Sequence, residues 1–324
     1  MEHSMKLHLD GQGFSELIQL AAVHFGILPE FIEKDYWITL ILHNLSRSSH
    51  VDSVVFKGGT SLTKGYRLVN RFSEDIDIAL LDEKMTGNAL KTKIRRIEKE
   101  ITAELTEIVE AGVTRKGSVY RKSLFQYPND ANARLVMNAQ KRIILEINSF
   151  ANPYPFEQLR ITSFIAEFLS ATNQEEVIDE YGLMPFQLNV LDKCRTMLEK
   201  IVSLIRFSFA ENPSKELAKK IRHFYDLYYL TRDEDCAKYL HSSKFQYDLS
   251  ELVSYDQQEF DNPQGWQTKE IKDSPLLSDF HTLWAGLRPT YQNELKQLAF
   301  SEIPDGALIE EGFKEIAKEI AKIS

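Results

Sequence analysis

The sequence predicts an α+β chain: a mixed α/β half built on a small mixed sheet, followed by a mainly helical half. Two observations carry that expectation. Up to about residue 150, short β-branched or aromatic runs such as Val54-Val55-Phe56 and Ile144-Leu145-Glu146-Ile147 alternate with helical periodicities. Beyond Pro153 the strand signals fade, and long apolar stripes at helical spacing take over. The expected division is residues 1–160 and 161–324, with a soft boundary between 151 and 184. A chain of 324 residues, 43% apolar and 27% charged, can bury the core of one large domain or two ordinary ones.

Phe14, Leu17, Ile18, Ala21, Ala22 and Phe25 recur at helical spacing until Gly26 breaks the run. Pro29 opens a second helix reaching about residue 45, which carries Glu33-Lys34-Asp35-Tyr36-Trp37. Val54-Val55-Phe56 reads as a strand ending at Gly58-Gly59; residues 61–70 look helical, and 76–81 return to strand character. Residues 88–109 read as a long charged helix, followed by a turn-prone stretch to Phe125. Strands are expected over 134–137 and 142–150, as neighbours in one sheet. In the second half, a helix over 185–209 shows Leu188, Leu191, Cys194, Leu198, Ile201 and Ile205 on its apolar side. A further helix over 214–230 carries Leu217, Ile221, Phe224, Leu227 and Tyr228. Residues 233–274 resist assignment, while 276–298 and 310–323 are helical again.

A formal charge of −9 argues against coating nucleic acid by bulk electrostatics, but leaves room for a local basic groove that takes one RNA end. Cys194 and Cys236 are too few for a disulfide framework and fit a reducing compartment. Residues 1–13 carry no apolar signal region, and no stretch approaches the roughly 20 apolar residues that span a bilayer. The expectation is a soluble, cytoplasmic chain without membrane contact. Lys91, Lys93, Arg95, Arg96 and Lys99 are interleaved with Glu98 and Glu100, so they read as a solvated helix face; the alternative is an RNA-backbone contact. The eight histidines form no zinc-like grouping with the cysteines.

The informative block is Val54-Val55-Phe56-Lys57-Gly58-Gly59-Thr60-Ser61-Leu62-Thr63-Lys64, continuing through Arg71-Phe72-Ser73-Glu74-Asp75-Ile76-Asp77. In physical terms it is a strand, paired glycines, a helix start, and a second strand bearing two carboxylates. Gly58 and Gly59 permit a close approach that a β-carbon would block. Thr60 or Ser61 can cap the following helix, whose first amides favour an anion, and Lys64 lies about one turn on. Asp75 and Asp77 are two apart on a strand, so both leave the same face. Two such carboxylates repel unless a cation lies by them; Mg²⁺ is the natural occupant, with Mn²⁺ as a substitute. Glycine turns and Asp-x-Asp pairs are each commonplace alone, whereas their ordered combination within about 20 residues is far rarer.

This block resembles the nucleotidyltransferase superfamily related to DNA polymerase β, marked by Gly-Gly or Gly-Ser followed by Asp-x-Asp. More narrowly, Phe56-Lys57-Gly58-Gly59-Thr60-Ser61-Leu62 and Arg71-Phe72-Ser73-Glu74-Asp75-Ile76-Asp77 are similar to the AbiEii/AbiGii toxin family, which includes the MenT toxins of type IV-like toxin–antitoxin pairs. Glu33-Lys34-Asp35-Tyr36 also resembles a segment that family carries ahead of its glycine turn. The resemblance covers about residues 30–232. It implies a polymerase-β-like core, an NTP donor, transfer to the 3′ acceptor end of tRNA or to another RNA, and a cognate antitoxin partner. It also implies functional roles for Lys193 and Asp226, contributed to the cleft by the helical half. The family's usual Lys-Asp or Arg-Asp ahead of Tyr-Asp-Leu is His223-Phe224 here, which puts any role for His223 in doubt.

Several residues carry two readings. Lys193 either faces a cleft or is a solvated lysine. Asp226 either orients a reacting group or pairs with Arg222 one turn away. Glu146, inside an apolar strand, is either a third carboxylate acting as general base or a residue on an exposed strand face. Ser73 and Arg71 are candidate phosphate or nucleotide contacts, as is Arg67. Transfer of a nucleoside monophosphate to RNA is the leading expectation. Nucleotidylation of a protein, or a nucleotide-binding module without turnover, are the alternatives.

Overall fold

The structure, a computed structural model, describes residues 4–73, 75–81, 85–128, 141–150 and 152–322. The strand expected over 134–137 lies outside the described residues. The chain forms two compact units, one of Met1–Arg67 with Phe72–Leu191 and the other of Leu68–Arg71 with Asp192–Ser324. The change of unit thus falls after Leu191 and not at residue 160, because two further strands beyond Pro153 complete the sheet of the first unit.

The strands of that unit are β1 (Val54–Lys57), β2 (Asp75–Leu80), β3 (Thr106–Ile108), β4 (Arg115–Lys116), β5 (Tyr120–Gln126), β6 (Arg142–Asn148), β7 (Phe156–Ile161) and β8 (Phe186–Leu191). Among the described residues they form one mixed sheet in the order β3-β5-β6-β2-β1-β8-β7, with β4 alongside β5. β2 is antiparallel to β1 and parallel to β6, and β1 is parallel to β8. Val54, Val55 and Phe56 are all buried, as a central strand covered on both faces requires.

The helices of the first unit are α1 (Gly11–Phe25), α2 (Pro29–Arg47), α3 (Gly58–Lys64), α4 (Gly87–Ile101), α5 (Phe164–Ala171) and α6 (Glu175–Tyr181). α4 buries Leu90, Ile94, Ile97 and Ile101, one stripe at helical spacing. It ends at Ile101 and not near 109, because Thr106–Ile108 pairs with β5 instead. β5 itself falls in the stretch that reads as turn-prone. Its alternation is masked by Arg121, whose guanidinium is buried against the Glu98 carboxylate of α4.

The second unit contains α7 (Lys193–Ser208), α8 (Pro213–Ala218), α9 (Ile221–Leu230), α10 (Glu234–Leu240), α11 (Ser243–Glu259), α12 (Pro275–Ser278), α13 (Phe280–Leu298) and α14 (Gly306–Ile320). The helix expected over 185–209 is thus strand β8 followed by α7. Asp192 separates them, its carboxylate accepting the Arg195 N–H at 3.0 Å as an N-cap. Phe224 on α9 packs against Phe280, Trp284 and Phe313, which seats α13 and α14 on α9. After α13 the chain returns to residues 68–71: Ala299 bridges Arg71, and the Phe300 N–H donates to the Asn70 carbonyl at 3.1 Å. No single helix among the described residues is long and apolar enough to cross a membrane.

Candidate active site

In the first unit the strand register draws one row of charged side chains across the sheet. Lys57 of β1 stands opposite Asp77 of β2, Asp77 opposite Glu146 of β6, and Glu146 opposite Lys122 of β5. Residues in direct register share a face, so these four form a line running cation, carboxylate, carboxylate, cation. Asp75 lies two residues before Asp77 and joins the same face, opposite Ile144. Both aspartates are half-buried, while Ile76 and Ile78 between and beyond them point into the core.

Gly58 explains why the first glycine must be one. Its φ is +80°, and a β-carbon there would lie 2.0 Å from Oδ2 of Asp77. The Asp77 carboxylate therefore occupies the space that any other residue would claim. Ser61 donates to the Gly58 carbonyl at 2.9 Å, and the Thr60 hydroxyl donates to the backbone carbonyl of Asp75. Both hydroxyls are buried; the Thr60 bond ties the first turn of α3 to the start of β2, and the Ser61 bond closes that turn on itself. Gly59 is half-buried in that turn, and Ser73 is buried just ahead of β2.

Gly58→Ala tests this packing. The positive φ costs about 1–2 kcal/mol, and displacement of Asp77 is expected to lower activity on the order of 100-fold. Gly87→Ala is the control: φ there is +61° with nothing within 4 Å, so it carries the strain alone. Equal transfer rates in the two variants would refute the close approach as the reason for Gly58.

Lys64 does not point where the sequence suggested. Its ammonium is buried, 2.6 Å from Oδ1 of Asp35 and 2.5 Å from the Thr162 carbonyl. The other Asp35 oxygen accepts the Phe164 N–H at 2.8 Å, at the start of α5. Lys64 and the Glu33-Lys34-Asp35-Tyr36 segment thus join α2, α3 and α5, and the lysine's charge is met inside the core.

Glu146 lies on the Asp77 face of the sheet. Tyr120 donates to its Oε2 at 2.8 Å, and Lys122 sits 2.7 Å from Oε1. Burial, and then the negative charges of Glu146 and Asp77, push the Tyr120 hydroxyl well above its usual range. Tyr120, Lys122 and Lys57 went unassigned in the sequence, because a register, unlike a motif, is not written in local spacing.

Among the described residues, no group of three or more His, Cys, Asp or Glu side chains is arranged to hold a metal ion unaided. Asp75 and Asp77 are the two carboxylates on one face of β2 that could share a cation, whereas both Glu146 oxygens already have partners.

The second unit holds a separate charged cluster. Asp226 is fully buried; Arg71 donates to Oδ1 through Nε at 2.7 Å and to Oδ2 through Nη2 at 2.5 Å, and the Lys200 ammonium lies 2.8 Å from Oδ2. Burial alone would raise the Asp226 carboxyl, but Arg71 and Lys200 outweigh it and hold the group below its usual value. The partners of Asp226 are thus Arg71 and Lys200, and Arg71 is 2% exposed, turned inward and away from any nucleotide in solution. Lys193 pairs at 2.8 Å with both Asp233 and Asp235. Burial disfavours its charge, yet those two acids raise its affinity for the proton above the usual lysine range. Lys200 escaped the sequence reading, although it lies between Met197 and Leu204 on the buried side of α7. A lysine at that position requires a buried acid.

His223 sits beside this cluster with Nδ1 enclosed and without a hydrogen-bond partner. Burial first, and then the charge of Lys200, lowers its pKa well below 6.5. The sign follows: a base neutral in the fold and basic when unfolded contributes fully above the unfolded value near 6.5, and less as pH falls below it. Stability is expected to fall as pH drops from 7 to 5 on this account, and His223→Phe should flatten that share of the slope in denaturant titrations. His43, lowered chiefly by burial, shifts the same way and remains in the variant.

The family model of the nucleotidyltransferase AbiEii toxins of type IV toxin–antitoxin systems matches residues 40–318. The chain belongs to this family. As an AbiEii-family member it is a nucleotidyltransferase toxin, and the match takes in both the β1–α3–β2 site and the Asp226 cluster. Among solved structures it is similar to MenT4, a nucleotidyltransferase toxin from Mycobacterium tuberculosis H37Rv, at 17% identity and a TM-score of 0.47 over 94% of this chain and 98% of that one. A comparison with curated proteins finds no match.

Proposed function

We propose that this AbiEii-family toxin transfers a nucleoside monophosphate from an NTP to the 3′ end of tRNA. The observation that carries the reading is the pair Asp75 and Asp77 on one face of β2, with Gly58 cut back to admit the second carboxylate. The acceptor hydroxyl oxygen forms a bond to the α-phosphorus, the bond to the β-phosphate oxygen breaks, and pyrophosphate leaves. Asp75 and Asp77 would hold Mg²⁺, which when bound neutralises phosphate charge and favours in-line displacement. Lys57 and Lys122 flank the carboxylates and limit their mutual repulsion. Glu146 is the carboxylate in register with Asp77; with one partner on each oxygen it keeps lone pairs for the proton of the attacking hydroxyl.

An RNA acceptor is supported by α4. Lys91, Arg95, Arg96 and Lys99 are exposed on it; of the two acids interleaved with this run, Glu98 is withdrawn inside to Arg121 and Glu100 alone stays at the surface. Arg96 and Lys93 also line an open cavity of about 570 Å³ with His50, Asn88 and Thr92. The surface is thus more basic than the linear charge pattern implies. Family membership further implies an antitoxin as partner.

The test is incubation of purified protein with Mg²⁺, total tRNA and each NTP in turn, radiolabelled at the α-phosphorus. A labelled tRNA band that EDTA abolishes supports the proposal and identifies the base. Label on a polypeptide alone would replace the RNA acceptor with a protein one. No label on either would remove the transfer reading.

A further inference from the structure

We propose that Cys194 and Cys236 form a modification site, a dithiol that a hydroperoxide converts reversibly to an intramolecular disulfide. They are the chain's only two cysteines, 42 residues apart in sequence, yet the second unit brings their sulfurs within 3.3 Å. Each lies in the first turn of a helix whose backbone is fixed by an aspartate cap. Asp192 accepts the Arg195 N–H at the start of α7, and Asp233 accepts the Cys236 N–H at 3.1 Å at the start of α10. Closing to a bonded S–S separation near 2.05 Å needs a movement of roughly 1 Å, within the reach of side-chain rotation.

A soft metal is the competing occupant of two adjacent thiols. It needs further ligands, and no grouping of three His, Cys, Asp or Glu side chains that could hold a metal exists among the described residues. The two sulfurs also differ in access. Cys236 is fully buried, and its proton is held tightly by the hydrogen bond to Cys194 and then by burial. Cys194 is half-buried and is the sulfur a small oxidant reaches.

The chemistry balances with hydrogen peroxide as oxidant. The Cys194 sulfur attacks one peroxide oxygen, the O–O bond breaks, and one water leaves a sulfenic acid on Cys194. The Cys236 sulfur then attacks that sulfur, and the sulfenic oxygen departs as a second water carrying the Cys236 proton. Two thiols are oxidised and one peroxide is reduced. A thiol reductant reverses the change through a mixed disulfide. The new bond closes a loop containing α7, α8 and α9, and with them Lys200 and Asp226. In a reducing cell such a disulfide is expected to be transient, which suits a sensor and not a staple.

The experiment treats the reduced full-length chain with stoichiometric hydrogen peroxide, then measures free thiols, intact mass and a proteolytic map. The proposal expects thiols to fall from two to none and the monomer mass to fall by about 2 Da. It also expects one cross-linked peptide pair spanning 194 and 236, all restored by dithiothreitol. Cys194→Ser and Cys236→Ser should lose the mass decrease; if either fails to fold, the peptide map of the wild-type chain decides. Two thiols persisting at peroxide levels that oxidise a free-cysteine peptide would overturn the proposal. So would a gain of about 32 Da on a single cysteine, or a covalent dimer in place of the internal bond.

Discussion

Asp77→Asn is expected to reduce nucleotide transfer by about 1,000-fold or more while leaving the fold intact, and Asp75→Asn should do the same. The amide is isosteric with the carboxylate, so it fits the space beside Gly58, where a β-carbon would be only 2.0 Å from Oδ2. What it lacks is the negative charge on which the proposed divalent cation depends. Stability is expected to hold or rise slightly, because Asp77 stands in register with Glu146 and the loss of one charge relieves their repulsion. The Thr60 bond is made to the backbone of Asp75 and survives both substitutions. Transfer assays alongside thermal melts separate the two effects. Activity within tenfold of wild type in a folded Asp77→Asn protein would contradict a carboxylate-held cation.

Asp226→Ala should be the most damaging single change to stability, at about 3–5 kcal/mol. It removes the buried carboxylate on which Arg71 and Lys200 converge, and leaves two buried cations facing each other. Lys193→Ala offers the contrast. Its ion pairs with Asp233 and Asp235 lie near the surface, Asp235 being 69% exposed at the side chain, so a loss of about 1 kcal/mol or less is expected. The two sites can be ranked by urea denaturation at constant m-value. The Asp226 contribution is present above the unfolded carboxyl value near 3.9 and lost as pH falls through the lower folded value. The difference between wild type and variant should therefore persist at neutral pH and narrow only in strong acid. An Asp226→Ala penalty below about 1 kcal/mol would show that the cluster is not the internal tie its burial indicates.

The β1–α3–β2 segment was legible in the sequence because its signals are local. A β-branched run, a glycine pair and alternation at period two all fall within one short stretch. Local spacing does not decide the face of Glu146, since only the parallel pairing of β2 with β6 puts it beside Asp77. The β8 segment reads as the start of a helix because Leu188 and Leu191 also suit helical spacing; the Asp192 cap divides the two elements. Lys64 and Lys200 show the limit most clearly. Both are basic residues next to apolar stripes, and whether such a lysine reaches a ligand or an internal acid depends on a partner distant in sequence, Asp35 for one and Asp226 for the other.

The brief excursion of Leu68–Arg71 into the second unit has a consequence for synthesis. Arg71 leaves the ribosome 155 residues ahead of Asp226, an interval of roughly 10–30 s at ordinary elongation rates. The backbone partners of Asn70 and Arg71, Phe300 and Ala299, emerge later still. A nascent chain therefore carries the Arg71 guanidinium ahead of its Asp226 partner over that interval, and can pair the backbone of this strip only once residues 299 and 300 have emerged. A chain stopped short of residue 299 would have its first carboxylate strand tethered to an unanchored segment.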